Sequence, residues 1–237
     1  MSAATLATGA WWRPFRHVDD VAVCHVDLAP NEGHEAQAWA WLDDQERFRC
    51  RDFGHPGPRR RFVLCRAALR AELGRHLEVA NDRLGFAAGE HGKPLATVDG
   101  SAAFASFNLS HSGLHGLFAV APFGQVGVDV ADRAPRRNLD GLIRAITSPD
   151  ERADFEGGDR NDREHRFFRL WTLKEALIKA HGAGISSVGL ANVEIPEALR
   201  RGATGGIAQF PPCRPSRWHL HDLGTVDFAA ALAYDAT

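Results

Sequence analysis

Trp171-Thr-Leu-Lys-Glu-Ala-Leu-Ile-Lys-Ala-His-Gly182 reads as the last turns of a helix closed by a glycine. Its spacing puts Trp171, Glu175 and Lys179 on one face, at i, i+4 and i+8. Upstream, Val126-Gly-Val-Asp-Val130 reads as a buried strand that carries a single carboxylate, Asp129. A strand acid facing a helix acid suits a hard divalent cation. A lysine one turn further along suits a phosphate. Each residue also has a plainer reading. An acid among valines is costly to bury alone, so it is paired in a structural salt bridge, used as a cap, or given to a metal. A Lys174-Glu175 pair on a helix is usually exposed surface. Phe167, Leu170 and Leu177 form a core stripe, and Glu175 lies off it, beside Trp171 and Lys179.

Working outward, the helix extends back to Arg163, and Ser148-Pro-Asp-Glu151 has the cap, proline and acids of another helix start. His115 to Ala121 and Gln125 to Val130 are apolar runs around Pro122-Phe-Gly124, which predicts a hairpin. Phe104 to Ser110 predicts a strand ending in Asn108-Leu-Ser-His-Ser-Gly113, and His91-Gly-Lys-Pro94 a turn. Nearer the N-terminus, residues 20–28 predict a strand. Residues 35–53 predict one helix with Trp39, Leu42 and Phe53 in the core. After the breaker Gly54-His-Pro-Gly-Pro58, residues 59–77 carry Phe62, Cys65, Leu69 and Leu73 at helical spacing. Beyond Ile185 the pattern is β segments and loops. Residues 196–217 read as a surface excursion, and Trp218-His-Leu-His and Phe228 to Tyr234 as closing strands. Each half combines a long helix with a few strands. The expected fold class is α+β, with the boundary near 121–126 and two similar lobes plausible without any convincing repeat.

The 237 residues have ordinary globular composition and a formal net charge of −2, which gives no global basic field for nucleic acid. Between Glu46 and Arg75, however, nine arginines face three acids. Such a block fits an anionic small molecule or, equally, a solvated helix face. The four cysteines form no CxxC pair, so neither a zinc knuckle nor a disulfide scaffold is indicated, and a reducing cytosol is the expected compartment. Neither a secretory leader nor a membrane-length apolar run is read, so no membrane partner is expected.

Other residues could meet a phosphate. Ser110 and His111, with Ser112, lie before a glycine, where hydroxyls and an imidazole donate well; the plainer reading is a polar turn. A Ser-His-Asp triad is not supported, because adjacent side chains on an extended segment point to opposite faces and there is no GxSxG elbow. Lys93, between Gly92 and Pro94, is a point charge on a short turn; in isolation it reads as solvent-exposed.

In order, Glu46-Arg-Phe-Arg-Cys-Arg-Asp-Phe53, Arg59-Arg-Arg-Phe-Val-Leu-Cys-Arg-Ala-Ala-Leu-Arg70, Gly92-Lys-Pro94, Phe107-Asn-Leu-Ser-His-Ser112, Val126-Gly-Val-Asp-Val130 and Trp171-Thr-Leu-Lys-Glu175 resemble a 4′-phosphopantetheinyl transferase of the long, surfactin-synthetase-activating type. The resemblance covers nearly the whole chain. It implies two similar α+β lobes related by a pseudo-twofold, each a small, mostly antiparallel sheet on a long helix, with the active site in the cleft between them. The N-terminal lobe, 1–122, would take the nucleotide and 3′-phosphate of coenzyme A. The C-terminal lobe, 123–237, would carry the metal and the catalytic helix. The implied reaction moves the phosphopantetheine arm of coenzyme A to a serine of an acyl or peptidyl carrier protein and releases adenosine 3′,5′-bisphosphate. By the same resemblance Asp129 and Glu175 hold Mg²⁺ (or Mn²⁺) and Glu175 is also the base. Lys179 neutralises the leaving phosphate, Ser110 and His111 touch the pyrophosphate, and Arg49, Arg61 and Lys93 meet the 3′-phosphate. A monomer is implied, because both lobes lie in one chain.

One position departs from the family pattern. A second acid often stands two residues after the strand aspartate, where this chain has Ala131; Asp132 is one residue too far. Water, Ser112 or Gln125 would then complete the coordination. Two rival readings remain: a non-catalytic relative that binds coenzyme A or a carrier protein, and a metal-dependent phosphohydrolase acting on a nucleotide.

Overall fold

A computed structural model describes residues 11–89, 93–182, 189–210 and 217–235. The turn read at His91–Pro94 therefore lies mostly outside the described residues, as do 185–188 and Cys213. The fold is α+β, its sheets antiparallel, and the chain divides into two compact units, Met1–Phe123 and Gly124–Thr237.

In the N-terminal unit, β1 (Trp12–Val18), β2 (Val21–Asp27), β6 (Ser106–Ser112) and β7 (His115–Ala121) form a sheet in the order β1-β2-β7-β6. The strand read over 20–28 is β2; β1 was not read. It carries Pro14, which lacks a donor, and its register slips between Pro14 and Arg16. Both are tolerated because β1 is an edge strand that pairs only with β2. A second small sheet joins β3 (Leu84–Ala88), β4 (Pro94–Val98) and β5 (Ser101–Ala102).

The helix read over 35–53 is broken. The chain forms α1 (Glu32–Trp41) and α2 (Asp44–Arg49), then a short 3₁₀ turn. Asp43 ends the first and caps the second through a reciprocal capping box: its Oδ1 accepts from the Glu46 amide at 2.8 Å, and Glu46 Oε2 accepts from the Asp43 amide at 3.1 Å. The two carboxylates also grip the Arg70 guanidinium, which is 1% exposed, at 3.0 and 3.1 Å. Arg70 lies on α3 (Pro56–His76), which begins with proline at its first position and packs Leu64, Cys65, Ala68 and Leu69 inward.

The hairpin read over 115–130 is a correction. β7 pairs with β6 and β2, whereas β8 (Val126–Asp132) belongs to the sheet of the other unit. Pro122-Phe-Gly124 is a turn, but it connects two sheets. The hairpin that does form joins β6 to β7 at Gly113, whose φ of +56° is left-handed. β6 starts after the exposed Phe104 and ends with Ser110-His-Ser112, so that cluster closes the strand just before Gly113, as read.

In the C-terminal unit the sheet order is β8-β11-β10-β9, with β9 (Gly205–Gln209), β10 (Arg217–Asp222) and β11 (Phe228–Asp235). The closing strands were read; β9 and the short helix α7 (Glu197–Arg200) lie inside the stretch read as a surface excursion. Between β8 and this sheet's remainder come α4 (Leu139–Ile146), α5 (Pro149–Ala153) and α6 (Arg160–His181). The Ser148 start is present as a second capping box, closed by Glu151. Helix α6 packs on β8 and β11 and ends at Gly182, with φ +83°.

Candidate active site

Glycine sets how closely β8 meets α6. A Cβ at Gly127 would overlap the Ala176 carbonyl and the Ala180 amide, so only glycine permits this approach. Small residues continue the fit: Ala176 and Ala180 on the helix, Ala229 and Ala231 on β11. Asp129, two residues on from Gly127, thus lies on the helix-facing side of the strand, opposite Ala231 in register.

The read trio comes together there. Lys179 Nζ donates to Asp129 Oδ1 at 2.6 Å. Glu175, one turn before Lys179, is 2% exposed, and its Oε1 has no hydrogen-bond partner among the described residues. Its carboxyl is pushed up from 4.5 to about 7, chiefly by burial and further by the Asp129 charge, with Lys179 opposing. Lys179 is bonded to Asp129, and the charges of both act on Glu175. A carboxylate titrating near neutrality with an unused oxygen is poised to take a proton or to ligate a cation.

Lys174-Glu175 is not a surface pair. Lys174 is fully buried and donates to the Ile146 carbonyl at 2.6 Å, the Leu190 carbonyl at 3.1 Å and the Glu151 carboxylate. Burial lowers its pKa, and Glu151 opposes that. Glu151 further accepts from the Ile195 amide at 3.0 Å. This lysine fixes α6 against α5 and the 190–195 segment, and with it the face that carries Glu175. Ala131 shares the strand face of Asp129 and, like it, is buried, packed within the apolar cluster.

The phosphate candidates of the N-terminal unit are partly gathered. Arg49, Arg61 and His111 line one cavity of about 360 Å³, walled by Phe53, Phe62 and Phe107. Arg49 lies over the Phe62 ring at 5.1 Å. Lys93 and Ser110 do not line it, although Pro94 and Leu109 beside them do. Ser110 is buried and His111 exposed, as alternation along β6 requires. Burial lowers the Lys93 pKa from 10.5 to about 8. Arg66 was missed. It lines the same cavity, stacks on Phe86 at 4.1 Å and pairs with Glu46 at 3.4 Å, while its Nη1 is buried without a partner among the described residues. The signal was present: Arg66 stands four residues after Phe62, on the stripe read as core.

Residues 125–233 match the family model described as the 4′-phosphopantetheinyl transferase superfamily. The chain is 33% identical to the 4′-phosphopantetheinyl transferase HetI of Nostoc sp., over 75% of this chain and 74% of that protein. It is 28% identical to the transferase ffp of Bacillus subtilis (73% and 80% covered) and 25% identical to the transferase Sfp of the same species (68% and 70%).

Proposed function

This chain belongs to the 4′-phosphopantetheinyl transferase superfamily, and on that premise we propose that Asp129, Glu175 and Lys179 perform its chemistry. The enzyme transfers the 4′-phosphopantetheine arm of coenzyme A to a serine of a carrier protein and releases adenosine 3′,5′-bisphosphate. The oxygen of the serine bonds to the phosphorus that bears pantetheine, and the pyrophosphate bond to the nucleotide breaks. Glu175 takes the serine proton, since a hydroxyl is a weak nucleophile until a base is at hand. Lys179 holds its positive charge beside the leaving phosphate. The observation that carries this reading is the buried Glu175 carboxyl, raised to about 7, with its unpartnered Oε1 next to Asp129.

Mg²⁺ fits the same donors. That ion is usually held by one or two carboxylates, and the Glu175 carboxylate has an unused buried oxygen. Asp129 and Glu175 would be its protein ligands. When bound, it would offset the charge on the phosphate oxygens during transfer.

For binding, the reading assigns Arg49, Arg61 and Lys93 to the 3′-phosphate end of coenzyme A, and Ser110 and His111 to the pyrophosphate. Arg66 joins this group as an aromatic-backed cation. With residues of both units serving one reaction, the units act as a pair of lobes, and a monomer in the cytosol suffices. No described helix is long and apolar enough to cross a membrane. The relatives' names favour neither a non-catalytic binder nor a phosphohydrolase. The test is mass spectrometry of an apo carrier protein incubated with coenzyme A and Mg²⁺. The wild-type enzyme adds the phosphopantetheine mass; Glu175→Gln does so at least a hundredfold more slowly. An equal rate for Glu175→Gln removes the base assignment.

A further inference from the structure

A second recess, of about 510 Å³, lies in the C-terminal unit and plays no part in the reaction above. Its walls come from the segment after β8, the first half of α6 and the turn after α7. Five arginines line it (Arg133, Arg166, Arg169, Arg200 and Arg201), against two aspartates. Both aspartates are spent. Asp222 is paired with Arg169, and Asp154 with Arg200. Arg169 is itself saturated, donating to the Leu199 carbonyl at 2.8 Å and the Ala203 carbonyl at 2.6 Å.

Arg133, Arg166 and Arg201 remain. Arg133 Nη2 donates to the Thr225 carbonyl at 3.0 Å, while its Nε is buried without a hydrogen-bond partner among the described residues. Arg166 spends Nη1 on the Asp154 carbonyl at 2.8 Å. Arg201 meets only Glu197, in an exposed pair at 2.8 Å. Like charges are thus gathered in one recess, Arg133 half-buried and Arg166 and Arg201 exposed, an arrangement that an anion would relieve. Burial lowers the Arg133 pKa; the Asp222 charge opposes that and the Arg169 charge adds a smaller part to it.

The chemistry of the walls selects the ligand. No aromatic ring other than His165 lines the recess, so nothing there matches a nucleobase as the phenylalanines of the N-terminal cavity would. Guanidinium forks match phosphate oxygens in pairs. We propose that this recess binds a small, multiply charged oxyanion of the phosphate class, of the size of pyrophosphate, at Arg133, Arg166 and Arg201. The proposal is independent of the transferase reading.

The probe is inorganic pyrophosphate, titrated calorimetrically without Mg²⁺ and at constant ionic strength. The host is the full chain carrying Arg61→Ala together with His111→Ala, which weakens the N-terminal cavity as a competing site. One saturable equivalent is expected. Arg133→Gln added to this host should weaken binding about tenfold, as loss of a charge-assisted contact does. If Arg133→Gln perturbs folding, Arg201→Gln cuts only an exposed ion pair and should weaken binding in the same direction. Absence of saturable binding in this host, or affinity unchanged in Arg201→Gln and Arg133→Gln, overturns the proposal.

Discussion

In the N-terminal unit the buried cation of the long helix is Arg70; in the C-terminal unit it is Lys174. Each is held by the last glutamate of a capping box on a short preceding helix, Glu46 in one case and Glu151 in the other. Each unit also has a strand glycine under its long helix, Gly116 against Cys65 and Gly127 against Ala176. The same devices fix the same kind of helix on the same kind of sheet. The working faces differ in sign. Arginines 49, 61 and 66 line the cavity of the first unit, whereas Asp129 and Glu175 outnumber Lys179 in the second. Scaffold and charge are therefore separable. One set of residues places the helices, and another decides whether the face attracts a phosphate or a cation.

The largest effects should come from breaking the shared device. Lys174→Met leaves the buried Glu151 without its cation, and Arg70→Met strips Asp43 and Glu46 of their shared cation with only Arg66 left at 3.4 Å from Glu46; each should cost about 3–5 kcal/mol in chemical denaturation. A small loss in one and a large loss in the other would mean that the two clamps are not equivalent. The glycines sharpen the comparison next. A Cβ at Gly127 meets helix backbone, which cannot turn aside, so Gly127→Ala should cost about 3 kcal/mol. At Gly116 the nearest atom is the Cys65 Sγ at 2.9 Å, a side chain that can shift, so Gly116→Ala should cost about 1 kcal/mol.

The pH response separates the faces. Glu175 has a folded pKa near 7 against 4.5 ordinarily, so the folded state holds its proton more firmly. That contribution is fully present below pH 4.5 and is lost as pH rises through 7. Without divalent cation, Glu175→Gln should therefore equal the wild type near pH 4.5 and exceed it by about 3 kcal/mol at pH 8. The smallest effect concerns Lys93. Its pKa of about 8 means that its charge fades as pH rises through that value. The Michaelis constant for coenzyme A should rise a few-fold above pH 8, and Lys93→Arg should flatten that rise, because arginine stays charged.

Much of this could be read from the chain. Val126-Gly-Val-Asp-Val130 and Trp171–Gly182 carry their secondary structure, and the meeting of Asp129 with Lys179, in local spacing, as Ser148-Pro-Asp-Glu151 carries its cap. The two closing strands, β10 and β11, were equally plain. What failed was non-local. Pro122-Phe-Gly124 announces a turn, but nothing in periodicity says which strand pairs with which, so β7 and β8 were joined wrongly. Asp43-x-x-Glu46 is a helix start inside an apolar rhythm that runs on regardless. β1 hides because an edge strand tolerates Pro14. Lys174 reads as surface because its partners, Glu151 and two carbonyls, come from elsewhere in the chain.

The central claim is a division of labour: the arginine face binds coenzyme A and the carboxylate face performs transfer. Single-turnover transfer to an apo carrier, measured against coenzyme A concentration for Arg61→Ala and Glu175→Gln side by side, tests it most directly. The account predicts that Arg61→Ala raises the half-saturating coenzyme A concentration about tenfold and keeps the maximal rate, whereas Glu175→Gln keeps the concentration and loses at least a hundredfold in rate. A maximal rate lost in Arg61→Ala, or retained in Glu175→Gln, would contradict it.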